Sequence, residues 1–400
     1  MRIHQDRACG QATIIGDNGN VVPRVHNNGE WIHAFIHALL LITKILILNK
    51  MTALPSNPSA SIKKSRRSSG AITLQDVAKL ASVAPITASR AINKPASVSA
   101  EVLSKVTAAV ERTGYVPNRI AGGLASSRSR IIAAVVPSTV MSVFMETVET
   151  LNNTLFDAGY QLMLGQSSYS TDREEALLEA VIGRRPDGIF LAGILQPGKA
   201  RTRLLASKIP VVESWDLTQT PIDMLIGFSH LEIGRAVAKH LVDKGRRRFA
   251  LVMAGDERAD RRATAFKQAV HAAGLGEVYV VNVGESRTLK SGRDAFVNIL
   301  ASSPKSAAID AIFCSSDLLA MGVVTEAIAR GINVPKALSV MGFGDVPFGA
   351  DVEPALSTVR INGSDIGRLA AEYLMTRAEG KQIERSIVDV GFSIVERGSS

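Results

Sequence analysis

Cysteine is nearly missing. Only Cys9 and Cys314 occur in 400 residues, which excludes a disulfide framework and fits a reducing compartment. Catalytic signatures are missing too. There is no phosphate loop of the Gly-x4-Gly-Lys type, no nucleophile elbow and no dinucleotide fingerprint, and the glycines of "GFGDVPFG" at 342–349 have the wrong spacing. Metal-ligand spacing is lacking: His33 and His37 stand four apart, with no third ligand nearby. No catalytic residue, metal or cofactor is therefore expected. Long apolar runs are scarce. The one membrane-like run, "WIHAFIHALLLITKILIL" at 31–48, contains His33, His37 and Lys44, and no small-residue cleavage site follows it. Next comes "TALPSNPSASIKKSRRSSG" at 52–70, a composition that cannot form a core. Residues 1–50 are unlike the rest, and Met51 makes a natural start. The expectation is an extension at 1–50 ahead of the true start and a disordered basic arm at 51–70, with no membrane association; a membrane anchor at 31–48 is the alternative.

What is present is basic charge in one place. The chain carries 46 Lys and Arg against 37 Asp and Glu. Residues 63–130 hold 12 of the basic residues and only 3 of the acidic ones, which accounts for the whole excess of +9. A concentrated excess of this kind is the footprint of a polyanion binder. The apolar fraction of 46% over 400 residues supports two or three domains.

The basic segment contains three helical patterns. Thr73 is placed to cap the first, with Asp76 reaching back as its capping-box partner. Leu74, Val77 and Ala78 share one face of it. The pattern breaks at Ala81-Ser82-Val83 and resumes at Pro85, which suits a first helical turn. Ala88, Ala91 and Ile92 give the second helix an apolar side. A third helix is expected over 100–113, capped by Ser99, striped by Val102, Val106, Ala109 and Val110, and stopped by Gly114. None is long enough to stand alone, so the three share one small core. That leaves Pro85, Ile86, Ser89 and Arg90 on an outer face. A short helix presenting Arg, hydroxyl and apolar tips suits the major groove of DNA.

The segments "TLQDVAKLASVAPITASRAIN" and "VSAEVLSKVTAAVERTGYVPNRIAGGLA" resemble the amino-terminal domain of the lac repressor family of bacterial regulators. The resemblance implies an all-α helix-turn-helix domain at 71–117 in which Pro85, Ile86 and Arg90 read bases. It also implies that Thr87, Ser89, Asn93 and Asn118 hold phosphates, with Thr73, Tyr115 and Arg119 counted in the same DNA-binding set. Residues 118–130 would form a hinge helix that inserts Leu124 into the minor groove, where a leucine wedge kinks the duplex. Three positions depart from the family pattern. Ser82 stands where glycine is usual in the turn, Ala84 is a poor cap, and Pro85 offers a base only shape and apolar contact. Gly122 and Gly123 precede Leu124 and raise the cost of ordering the hinge.

From Ile131 the rhythm changes. Nine short apolar runs, from "IIAAVVP" to "LSVMGFGD", alternate with helical stretches, which predicts parallel sheets wrapped by helices. So many strands exceed one comfortable sheet. The expected body, 131–400, is α/β with two doubly wound parallel-sheet subdomains, approximately 131–228 with 362–391, and 229–361. Ligands bind such folds beyond the carboxyl ends of strands. The candidates there are Ser138, Glu213, Trp215, Asp216, Ser316, Asp317 and Asp345, with Arg262 from the helix after "RFALVMAG" reaching the same cleft.

This body resembles periplasmic sugar-binding proteins, as the family's effector domain does. The resemblance implies that Arg262 and the pair Ser316-Asp317 hold a sugar. "IPVVESWD", "DERADRRATAFKQA" and "VDVGFSIVERGS" look most like gluconate-operon repressors. The arginines of "DERADRRATAF" favour an anionic effector, because guanidinium pairs carboxylate or phosphate well. The expected protein is a cytoplasmic transcription repressor, a homodimer with a tetramer as the alternative. It would bind a near-palindromic operator and a sugar acid or sugar phosphate. Whether that effector induces or corepresses is open in the sequence. A sugar-binding transport protein without DNA function is the alternative, and an enzyme on the same body is argued against by the missing catalytic set.

Overall fold

The structure, a computed structural model, describes residues 2–5, 12–15, 72–116, 128–139, 143–302 and 308–400. The chain divides into two compact units, Met1–Tyr115 and Val116–Ser400. In the first unit a short antiparallel pair joins β1 (Arg2–Gln5) to β2 (Ala12–Ile15). Three helices follow: α1 (Leu74–Leu80), α2 (Pro85–Asn93) and α3 (Ala100–Thr113). Their ends lie where the capping chemistry places them. Thr73 and Asp76 form the reciprocal capping box of α1, Ser99 accepts from the Val102 N–H at the start of α3, and Gly114 ends α3 at φ +63°. The core is small: Val77, Ala78, Ala81, Ala88, Ala91, Val106 and Ala109. Its alanines let three short helices approach closely, and this packing replaces the stability that each lacks alone. A single 3-10 turn at Pro95–Ser97 joins α2 to α3 and has no counterpart in the sequence expectations.

The second unit holds two parallel sheets. The first has six strands in the order β13-β7-β6-β5-β3-β4: Ile387–Asp389, Met224–Gly227, Val211–Ser214, Gly188–Leu191, Ile131–Val136 and Gln161–Gln166. The second has four, in the order β11-β10-β8-β9: Ser339–Met341, Ala311–Cys314, Phe249–Met253 and Tyr279–Asn282. Central strands such as β5, β6, β8 and β10 are buried along their whole length, as continuous apolar runs covered on both faces require. We call the two halves the first and second lobe.

The helices of this unit are α4 (Met145–Asp157), α5 (Thr171–Gly183), α6 (Lys199–Ser207), α7 (His230–Asp243), α8 (Glu257–Ala272), α9 (Leu289–Ser302), α10 (Asp317–Ala329) and α11 (Gly363–Ala378). After β7 the chain leaves the first sheet, and α7 packs on α8 of the second lobe. It returns after β12 (Thr358–Arg360), because α11 lays Ile366, Ala370 and Leu374 into the core of the first lobe. β13 completes the first sheet by pairing with β7. β14 (Ser393–Val395) then pairs antiparallel with β12, and the Val340 N–H donates to the Ser399 carbonyl beside the second sheet. Residues 392–400, assigned to neither subdomain by the sequence, thus lie with the second lobe. All nine apolar runs form strands, β3 to β11. None of the described helices is long and apolar enough to cross a membrane.

Candidate functional site

In the first unit, α2 carries the candidate DNA-reading face. Ala88 and Ala91 turn inward, which leaves Pro85, Ile86, Arg90 and Asn93 exposed, with Ile86 at 64% of its full accessibility. Thr87 and Ser89 are half-buried on the same helix. Asn93 Nδ2 donates to the Ser89 carbonyl at 3.0 Å, so those two side chains stand together one turn apart. Arg90 makes no ion pair among the described residues. Ala84 gives α2 no side-chain cap. The Ser82 backbone sits at φ +53°, in the left-handed region where glycine is usual. Two expected contacts have structural duties here. Thr73 donates its hydroxyl to Asp76 Oδ2 at 2.6 Å while capping α1, and that bond holds the Asp76 carboxyl below its usual range. Tyr115 is half-buried against the helical core. Asn118, Arg119 and Leu124, with Gly122 and Gly123, lie outside the described residues.

In the second unit a cavity of about 660 Å³ opens between the lobes, beyond the carboxyl ends of β3, β4, β6, β8, β9, β10 and β11. That is where open α/β sheets place their ligands. Of the expected residues, Ser138, Trp215, Arg262, Ser316 and Asp317 line it. Asp216, Asp345 and Glu213 do not. Asp216 is buried beside the cavity, where it accepts from Arg261 Nη1 at 2.7 Å and from the Leu217 N–H at 2.8 Å. Asp345 faces Arg397 at 2.7 Å and Arg360 at 3.6 Å. Glu213 accepts from the Leu195 and Ile222 N–H groups, and its burial raises its pKa. A carboxylate at a strand end holds structure as readily as it holds a ligand.

Arg262 is the centre of the cavity. It is buried, its guanidinium lies 4.1 Å over the Phe343 ring, and its pKa falls to about 10 through desolvation. Its Nη1 meets His230 Nδ1 at 2.9 Å, and His230 Nε2 meets the Trp215 carbonyl at 3.0 Å. A carbonyl only accepts, so Nε2 carries the imidazole proton and Nδ1 accepts from Arg262. Burial, then the charges of Arg262 and Arg258, press the His230 pKa down to about 2, so the imidazole is neutral. Asp317 starts α10 and accepts from Thr358 Oγ1 at 2.6 Å and from the Val346 N–H at 2.8 Å. Burial nonetheless raises its pKa to about 6. Burial works against ionisation of Asp256 as well, but Arg258, Arg262 and the hydrogen bonds from Ala259 and Arg287 outweigh it and hold its pKa at about 2. Ser316 caps α10 by accepting from the Leu319 N–H.

The balance of donors and acceptors is uneven. The cavity carboxylates Asp256 and Asp317 each accept at both oxygens. Two buried donors that line the same cavity, Trp215 Nε1 and Arg262 Nε, have no hydrogen-bond partner. Buried polar groups are nearly always paired, so two unpaired ones on residues that line a cavity stand out. Arg258, one of the arginines of "DERADRRATAF", lines the cavity too, and sequence reasoning did not single out Arg287, His230, Tyr169 or Asp256, which also line it. The strand-end rule reaches Asp256 and Arg287, each a few residues past β8 or β9. It reaches His230 as well, three residues past β7 at the start of α7. Among the described residues no cluster of His, Cys, Asp and Glu is arranged to hold a metal ion.

Known proteins match both units. Bacterial regulatory proteins, lacI family, match residues 73–118, and the periplasmic binding protein-like domain matches residues 238–400. The HTH-type transcriptional regulator GntR of Pseudomonas aeruginosa is 37% identical, over 84% of this chain and 98% of its own length. The regulator of the same name from Escherichia coli is 31% identical, over 82% of this chain and 98% of its own. Among solved structures, a LacI-family transcriptional regulator from Silicibacter pomeroyi is similar with a TM-score of 0.76 at 30% identity, over 82% of this chain and 99% of that one.

Proposed function

Since this chain belongs to the lacI family of bacterial regulatory proteins, and is thus a DNA-binding transcriptional regulator, we propose that it represses a sugar-acid utilisation operon as a cytoplasmic homodimer. Its head reads a near-palindromic operator through Pro85, Ile86 and Arg90. Arg90 supplies bidentate donors for a guanine edge, Ile86 and Pro85 supply apolar contact, and Thr87, Ser89 and Asn93 position the helix on phosphates. The exposed, unpaired Arg90 beside the exposed Ile86 on a helix too short to stand alone is the observation that supports this assignment.

The cleft binds the effector, a sugar acid or sugar phosphate. The unpartnered donors of Trp215 and Arg262 support an oxygen-rich ligand, and the buried Arg262 guanidinium, which makes no close ion pair among the described residues, supports an anionic one. Ser138, Ser316 and Asp317 complete the lining. The cleft performs no chemistry in this reading; it biases the body between two states. The effector must favour one of them, because equal affinity for both shifts nothing.

Operator titrations of wild type and Arg90→Ala, with and without D-gluconate, test the proposal. Arg90→Ala weakens specific binding by about 1–3 kcal/mol and spares random DNA. Equal loss on random DNA makes Arg90 a phosphate contact. No specific binding by the wild type leaves the sugar carrier without DNA function. Operator binding that no sugar acid or sugar phosphate alters removes the effector assignment.

A further inference from the structure

Two pairs of neighbouring residues face each other across the cleft. Trp215 and Asp216 follow β6 in the first lobe, and Arg261 and Arg262 lie on α8 in the second. One member of each pair, Trp215 and Arg262, brings an unpartnered donor to the cavity. The other members, Asp216 and Arg261, join the lobes directly at 2.7 Å. We infer that the Asp216–Arg261 ion pair is the positioning element of the cleft: it sets lobe closure, and thereby the spacing of the two donors that receive the ligand. This inference rests on the reading of the cleft as the effector site, and it gives Asp216 a role without ligand contact.

The surroundings favour that role. Asp216 is fixed twice, by Arg261 on Oδ2 and by the Leu217 N–H on Oδ1. Its backbone is held close to β7, since a Cβ on Gly227 would lie 1.9 Å from the Asp216 carbonyl oxygen. Arg261 is fixed as well, because its Nη2 donates to Glu257 Oε1 one turn earlier at 2.6 Å. The Asp216 side chain is 7% exposed and that of Arg261 32%, so the carboxylate end of the pair is shielded from water while the arginine is partly open to it. Three more links cross at the same lip: Gln196 Nε2 to Glu257 Oε2 at 3.0 Å, Arg258 Nη1 to the Ala192 carbonyl at 3.2 Å, and the Arg287 guanidinium 4.0 Å over the Tyr169 ring. Most arise from the first turns of α8. A shift of that helix relative to β6 therefore strains the latch and changes the spacing between Arg262 and Trp215.

The test uses the full chain, with small-angle scattering for lobe closure and calorimetric titration of D-gluconate for binding. Asp216→Asn keeps the shape and removes the charge. It should raise the radius of gyration and weaken gluconate binding about tenfold, within the range of coupling between contacting residues. The double variant Asp216→Arg with Arg261→Asp restores an ion pair in the opposite sense and should recover both readouts. A merely structural role would lower the melting temperature without that recovery. Unchanged scattering and affinity in Asp216→Asn overturn the inference. So does a folded swap variant that behaves like the single one. Wild type that binds neither gluconate nor another sugar acid, while Asp216→Asn still opens the lobes, overturns the effector reading and leaves the latch standing.

Discussion

Ser82 holds a backbone conformation that costs a side chain, at φ +53° in the four-residue turn between α1 and α2. The left-handed region brings Cβ against the following carbonyl, at about 1–2 kcal/mol. Ser82→Gly removes that strain and adds freedom to the unfolded chain, so the net gain for the head is about 1 kcal/mol or less. Thermal unfolding of the head should show a higher midpoint, and a lower one would mean that the serine side chain stabilises the turn. His230 has a different residue-scale consequence. The native imidazole resists protonation down to about 2, while the unfolded chain takes a proton near 6.5. Between those values the unfolded state binds more protons, so stability falls as pH drops below about 6.5, by up to about 1.4 kcal/mol per pH unit for this group. Asp317 acts in the opposite sense. Its pKa is raised from 3.8 to about 6, so its contribution to stability falls as pH rises through that window. His230→Asn isolates the first effect: denaturant titrations at pH 7, 6 and 5 should show the wild type losing ground to the variant as pH falls. A constant gap would refute the assignment of the histidine as neutral.

At the scale of elements, the contact between α7 and α8 decides where Arg262 stands. Gly234 makes it possible, because a Cβ there would lie 2.2 Å from the Arg262 carbonyl oxygen, and that oxygen is backbone that cannot swing away. Gly234→Ala should force the two helices apart, at about 1–3 kcal/mol of overpacking. It should also weaken ligand binding by displacing Arg262, whereas operator affinity without ligand should change little. Full ligand affinity in a Gly234→Ala protein would mean that α8 does not set the Arg262 position. The helices of the head were legible because their signals are local: Thr73, Ser99 and Gly114 each act within four residues. The nine runs that became β3 to β11 were legible because strands buried on both faces are continuously apolar. β12, β13 and β14 were not, since each is three residues long and carries an exposed residue. The cleft was half legible for a related reason. Position past a strand end is a local property, and it placed Ser138, Trp215, Ser316 and Asp317. Which strand-end acid faces an arginine is a long-range property, and it moved Asp216 and Asp345 out of the lining.

For the whole molecule, the order of the chain is not the order of the lobes. The first lobe begins at β3, yet α11 supplies part of its core and β13 supplies its last strand. During synthesis β7 is an open, fully apolar edge from the moment it emerges. Its partner follows roughly 160 residues later, about 10–30 seconds at common elongation rates. An edge unpaired for that long invites wrong pairing. Released chains that stop at Ile361 should therefore leave the first lobe open to limited proteolysis, and chains that stop at Val390 should protect it. Equal protection in the two would mean that the first lobe folds from its leading residues alone. The four-stranded sheet of the second lobe meets no such delay, because β8 to β11 emerge in one continuous stretch. The sheet begun first is thus the sheet finished last, and a ribosome pausing before α11 holds the nascent chain with that edge still open.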